Sequence, residues 1–287
     1  MKKIVLYLIF SCTGLLLRAQ NSNIQKENTA SKNVQIIDTA FYIPQLDRKR
    51  RVWIYLPKDY LSTTKKYQVL YLQDGQNVFD KATSFIDEWG VDECLDTLIE
   101  KGVAPSIVIA VDNGSNFRMT EYNPYPHQQF GNGEGDKYVD FLVNTLKPFV
   151  DKHYRTLNSS ENTAIAGSSM GGLISYYAAI KYPNVFGKAG IFSPSFWIAP
   201  QLYNYTDSMS TKITSKFFFS MGSLEGQEYI DDMQKMAEQL GANSKTLIYA
   251  IVAEGENHNE KNWRNQFAEF YKWIMADGYN NVIKIED

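Results

Sequence analysis

Histidine and cysteine are the scarce residues of this chain. Three histidines (His127, His153 and His258) and two cysteines (Cys12 and Cys94) stand among 287 residues. So few cysteines exclude a disulfide-rich scaffold and a cysteine-based metal centre. An excess of positive charge is lacking too, since 29 Lys and Arg face 32 Asp and Glu for a net charge of −3. Without a basic stripe, a nucleic-acid partner is not expected. A long apolar run is also missing. The longest, residues 4–17, is broken by Ser11, Cys12, Thr13 and Gly14 and is too short for stable membrane insertion. No internal repeat appears along the chain.

What is present begins with a leader pattern. Lys2 and Lys3 precede the apolar run, and Leu17-Arg18-Ala19 supplies a small-residue cleavage site. Residues 1–19 are therefore expected to be a signal peptide that exports the protein to the periplasm or beyond. Cys12 is poorly placed for a lipid anchor, because Phe10 precedes it and the apolar run continues past it. Loss of Lys2, Lys3 and Arg18 would leave 26 basic against 32 acidic side chains, a net charge of −6. Cys94 would then be the sole thiol. Residues 20–33 are polar and aperiodic and are expected to form a flexible leader. Residues 34–280 read as one catalytic-sized domain and 281–287 as a polar tail.

Inside the domain, β-branched and aromatic runs at residues 34–43, 51–56, 67–72, 107–111, 189–192, 216–220 and 246–252 predict strands. Helical spacing of apolar residues predicts helices over 89–101, 229–240 and 262–276, and over 138–154 with a disturbance at Pro148. Residues 116–135 read as a long loop in which Arg118 and Glu121 pair. Strands alternating with helices predict an α/β fold, a mostly parallel central sheet with helices on both faces.

The most informative stretch is Ala164-Ile165-Ala166-Gly167-Ser168-Ser169-Met170-Gly171-Gly172. A short apolar strand ends in a G-x-S-x-G turn, and residues 172–180 continue as a helix. A serine on such a strained strand-to-helix turn is a nucleophile elbow, flanked by glycines so that strand and helix can approach. Ser169 is the predicted nucleophile. A serine hydroxyl needs a base within hydrogen-bond reach, itself oriented by a third group. In an α/β-hydrolase the order along the chain is serine, acid, histidine. His127 and His153 precede Ser169, so His258, in the loop after the last strong strand, is the predicted base. Of the acids between Ser169 and His258, Glu225 follows a strand in a Gly-flanked turn and is preferred, with Glu228 and Asp231 as alternatives. Two backbone amides are needed for the tetrahedral oxyanion. Met170, next after the nucleophile, and Gln76, in the turn Asp74-Gly75-Gln76, are the candidates. Trp197 and Arg118 are candidates for substrate contact.

Several motifs together carry a family resemblance: Tyr71-Leu72-Gln73-Asp74-Gly75-Gln76, Arg118 with Glu121-Tyr122, the elbow itself, Phe192-Ser193-Pro194-Ser195-Phe196-Trp197, residues 222–225, and residues 255–258 with Trp263. With these the chain resembles the putative-esterase family of α/β-hydrolases, which includes enterochelin (siderophore) esterases, feruloyl esterases, S-formylglutathione hydrolases and mycolyltransferases. The likeness runs over roughly residues 34–276. It implies a serine esterase that needs neither cofactor nor metal and forms an acyl-serine intermediate. The expected substrate is a small-molecule or polysaccharide-linked ester, either acetyl or feruloyl groups on polysaccharide or the ester backbone of a siderophore. Several members carry Asp where this chain has Glu225. The competing expectation from another class is a catalytically silent binding module on the same scaffold.

Overall fold

A computed structural model describes residues 27–242 and 245–275 and the backbone of residues 285–286. The expected signal peptide lies outside the described residues. In chain order the strands and helices are β1 (Val34–Ile43), β2 (Arg48–Tyr55), β3 (Gln68–Leu72), α1 (Val91–Glu100), β4 (Ser106–Val111), α2 (Arg118–Glu121), α3 (Gly135–Phe141), α4 (Lys147–His153), β5 (Thr163–Ser168), α5 (Met170–Lys181), β6 (Lys188–Phe192), α6 (Gln201–Met209), β7 (Lys216–Gly222), α7 (Gln227–Ala242), β8 (Leu247–Ala253), α8 (Glu260–Met275) and β9 (Ile285–Glu286).

The strands form one sheet in the order β1-β2-β4-β3-β5-β6-β7-β8-β9. β1, β2 and β4 pair antiparallel, and from β4 onward every pairing is parallel. The central strands are apolar at every position because both faces are covered, as parallel sheets require. Alternate residues feed opposite layers. Val69 and Tyr71 enter the core beneath α3, α5 and α7, as do Ile165, Phe217 and Phe219. Leu70, Leu72, Ala164, Ala166 and Phe218 enter the core beneath α1 and α8. On that second face β5 presents Ala164 and Ala166 and β6 presents Gly190, and α8 fills the space with aromatics. A Cβ on Gly190 would stand 2.4 Å from the Phe270 ring, so only glycine allows the helix to pack this closely.

Several segments differ from their sequence-based expectations. Residues 116–135 are not a plain loop: a 3₁₀ turn (Ser115–Phe117) leads into α2, and α3 starts at Gly135. Short turns held by long-range ion pairs leave no apolar periodicity to read. Residues 135–153 are helical throughout, with a π-helical turn, Leu142–Leu146, just before Pro148. Widening that turn accommodates the ring against the carbonyl four residues back and the missing amide hydrogen. The described end of the expected leader is tied down. Thr29 Oγ1 donates to Glu88 at 2.7 Å and the Ser31 amide to Asp92 at 2.7 Å, while Asn33 donates to Asp96. Ile285–Glu286, within the expected polar tail, pair with Ala250 and Ile251 at the sheet edge.

The chain leaves β3 toward β4 on one side and returns to β5 on the other. The crevice at the carboxyl ends of β3 and β5 is thus a topological switch point, the usual place for a ligand in such a sheet.

Candidate active site

Ser169 stands at that crevice, between β5 and α5, with φ 58° and ψ −123°. This strained conformation holds the serine at the turn and leaves it half-buried. Behind it α5 is buried along its length, from Met170 to Ile180. An all-round apolar helix of this kind is held rigidly by its surroundings. Gly171 faces the loop after β3: a Cβ there would meet Asp74 Oδ2 at 2.9 Å. The elbow and the post-β3 loop therefore touch. Met170 is the first residue of α5, so its amide belongs to the orphan donors at a helix start. Gln76 lies in the 3₁₀ turn Gly75–Asn77, entered through Asp74 in the left-handed region at φ 55°.

Glu225 and His258 come together from the loops after β7 and β8. His258 Nδ1 lies 2.7 Å from Glu225 Oε2. The histidine side chain is 46% exposed and the glutamate 3%. Buried charge needs donors, and Glu225 Oε1 accepts from the Gly222 amide at 2.7 Å, Ser193 Oγ at 2.6 Å and Asn262 Nδ2 at 3.4 Å. Burial pushes this carboxyl up, but the bonds from His258, Ser193 and Gly222 outweigh it and hold the group below its ordinary value. Ser193, itself at φ 43°, also accepts from Trp263 Nε1 at 2.9 Å. The Trp263 ring meets the His258 ring edge-on, with centroids 5.2 Å apart. A closed circuit results, His258–Glu225–Ser193–Trp263. In this arrangement Ser169 Oγ is 3.3 Å from Ser195 Oγ, while Ser169 and His258 both line the two pockets of the site.

The larger pocket is a cleft of about 800 Å³ whose walls include Asp74, Gln76, Asn113, Arg118, Glu260 and Trp263. The smaller, about 240 Å³, is bounded by Pro194, Trp197, Met221 and Tyr229. Trp197 is 48% exposed, with its ring 6.4 Å from that of Tyr229. Arg118 and Glu121 do not pair with each other, contrary to the sequence-based expectation. Arg118 holds Asp74 through Nε at 2.6 Å and Nη2 at 2.8 Å. Burial disfavours its charge, yet Asp74 outweighs that and keeps it firmly protonated. Glu121 is instead buried against Arg48 and Arg50 of β2. Their partners lie far along the chain, out of reach of a local pairing rule. The alternative acids Glu228 and Asp231 belong to α7, where Asp231 accepts from Gln227. Sequence reasoning gave no role to Ser193, Ser195, Asn262 or Glu260. The first two sit inside a quoted motif; Asn262 and Glu260 had no signal beyond nearness to His258.

The family model described as "Putative esterase" matches residues 43–274. The uncharacterized protein YbbA of Bacillus subtilis is 26% identical over 243 residues, covering 79% of this chain and 93% of that one. An endo-1,4-beta-xylanase/feruloyl esterase of Xylanibacter ruminicola is 24% identical over 257 residues, 88% of this chain and 33% of that protein. Among solved structures, the enterobactin esterase FES from Shigella flexneri superposes with a TM-score of 0.68 at 19% identity, over 85% of this chain and 60% of that one. The likeness to the last is one of fold.

Proposed function

We propose that this chain, which belongs to the putative-esterase family and is a carboxylic-ester hydrolase, works through an acyl-Ser169 intermediate. The observation that carries the reading is the His258–Glu225 contact of 2.7 Å in the pocket that Ser169 shares. Glu225 holds the imidazole with Nδ1 protonated, leaving Nε2 as the base. Rotation of the serine side chain away from Ser195 brings Oγ toward Nε2; hydrogen bonds of this kind tighten when substrate binds. Ser169 Oγ adds to the ester carbonyl carbon while Nε2 takes its proton. The amides of Met170 and Gln76 receive the oxyanion, the first aided by the positive end of α5. Collapse breaks the bond to the alcohol, which leaves with the proton from Nε2. Water then repeats the sequence on the acyl-serine, releasing the acid and restoring Ser169.

Trp197 and Tyr229 flank one half of the substrate. Arg118 acts on the other half through the Asp74 loop that it clamps. Two ester classes fit the family: acetyl or feruloyl esters on polysaccharide, and the ester backbone of a catecholate siderophore. The leader pattern supports export to the periplasm or medium, and no helix among the described residues is long and apolar enough to cross a membrane. Replacing Ser169→Ala is expected to lower hydrolysis of a p-nitrophenyl ester by about a thousandfold or more and to abolish labelling by a fluorophosphonate probe. Full activity in that variant would overturn the mechanism. No labelling of the unaltered protein would favour a silent binding module.

A further inference from the structure

The two ester classes differ most in charge, and the walls of the large cleft carry a definite charge. Three carboxyl groups line it, those of Asp74, Asp112 and Glu260, against one guanidinium, Arg118. A ligand anion finds no free cation among these described residues, because Arg118 already gives two nitrogens to Asp74. Asp112 is matched by Arg51 from outside the cleft, at 2.9 Å.

Glu260 has no such match. It is the first residue of α8 and 6% exposed. No described residue forms an ion pair with it, and burial pushes its carboxyl above the ordinary value although its own amide favours the charge. A carboxylate in the first turn of a helix is favoured by the dipole. The dipole does not explain why this one is buried in the wall of a substrate cleft. Asp74 and Asp87 act on it as like charges, Arg118 and His258 as opposite ones, so it stands among the catalytic loops. Beside it the cleft offers the amide side chains of Gln76 and Asn113 and the exposed ring of Phe85.

We propose that Glu260 makes the cleft selective against anionic esters. The half of the substrate lying there carries no negative charge and presents hydroxyl or ammonium donors to the carboxylate. An uncharged polyol fits that description. A polyanionic ester, such as a ferric catecholate complex, is rejected because its charge would be desolvated against a buried like charge with no cation to meet it. This rests on the hydrolase reading above and names the substrate class of the same site.

The test uses matched phenyl acetates bearing, behind a methylene spacer, a hydroxyl, a carboxylate or an ammonium group. A second set carries the same groups on the acyl chain. Selectivity is read as a ratio of kcat/KM and, on the Ser169→Ala protein, as a ratio of calorimetric Kd values. At low salt the neutral and cationic esters of at least one set are expected to exceed the anionic one by about tenfold. That ratio should fall several-fold in Glu260→Gln and shrink with added salt. Equal or better handling of the carboxylate ester in both sets overturns the proposal, as does an unchanged ratio in Glu260→Gln. If that variant does not fold, the salt series on the unaltered protein decides, and discrimination insensitive to salt overturns it. Absence of turnover toward every ester by the unaltered protein, with the Kd ratio intact, would sink the acyl-serine mechanism and leave charge selection standing.

Discussion

At the scale of single residues, the carboxylate of Glu225 determines how sharply the histidine is aimed. Its one oxygen faces His258 and the other collects donors from the Gly222 amide, Ser193 and Asn262. Glu225→Gln keeps the shape but removes the charge that favours the Nδ1-protonated tautomer. A fall in kcat of about a hundred- to ten-thousandfold is expected at neutral pH, and a loss under threefold would count against the triad. The same bonds set a pH dependence. The folded-state value of Glu225 is depressed below the ordinary 4.5, so its contribution to stability is fully present above the unfolded value. That contribution is lost as the pH falls through the folded value. Ser193→Ala removes one donor and raises the folded value toward the unfolded one, so the fall in Tm between neutral and acid pH should be smaller than in the unaltered protein and should end at a higher pH. Coincident Tm–pH curves would show that the Ser193 bond does not stabilise the ionised form. Glu225 was legible in sequence because it follows a strand in a Gly-flanked turn. Ser193 and Asn262, 32 and 37 residues away from it, were not, since nothing local marks a hydroxyl or an amide as a partner of a distant carboxylate.

At the scale of elements, the site depends on how α8 is seated, because His258, Glu260 and Trp263 sit at or just before its start. Phe270 is fully buried, with ring centroids 5.3 Å from Phe192 and 5.6 Å from Phe218. Phe270→Ala should cost about 3–5 kcal/mol in denaturant unfolding. Gly190→Ala alone should cost about 1–3 kcal/mol, because the new methyl meets the Phe270 ring. In the Phe270→Ala background that methyl enters vacated space, and the two costs should fall short of additivity by about 1 kcal/mol. Strict additivity would mean that the contact is not what requires glycine at position 190. The strands and longer helices were readable from runs and periodicity to within a few residues. The π-helical turn before Pro148 and the short helix α2 were not, because both are local adjustments to tertiary neighbours.

For the whole molecule, two cores separated by one sheet leave little room for reactive groups away from the crevice. Cys94 lies in α1 on the α1/α8 face, where burial pushes its thiol up to about 11. A Cys12→Ser protein should therefore react only slowly with a thiol reagent when native and at the rate of a free thiol in denaturant. Rapid native labelling would show that this face opens readily. The sequence alone pointed to the α/β class, to the strand-to-helix turn at Ser169 and to His258 as the candidate base, because these depend on short-range pattern, chain order and the scarcity of histidine. Only the tertiary structure decided which side chains brace Glu225, that Arg118 clamps Asp74 rather than Glu121, and that the cleft carries an unmatched carboxylate. Net charge is a sum over the chain, whereas the charge a substrate meets depends on which side chains converge at one crevice and which of them already have partners.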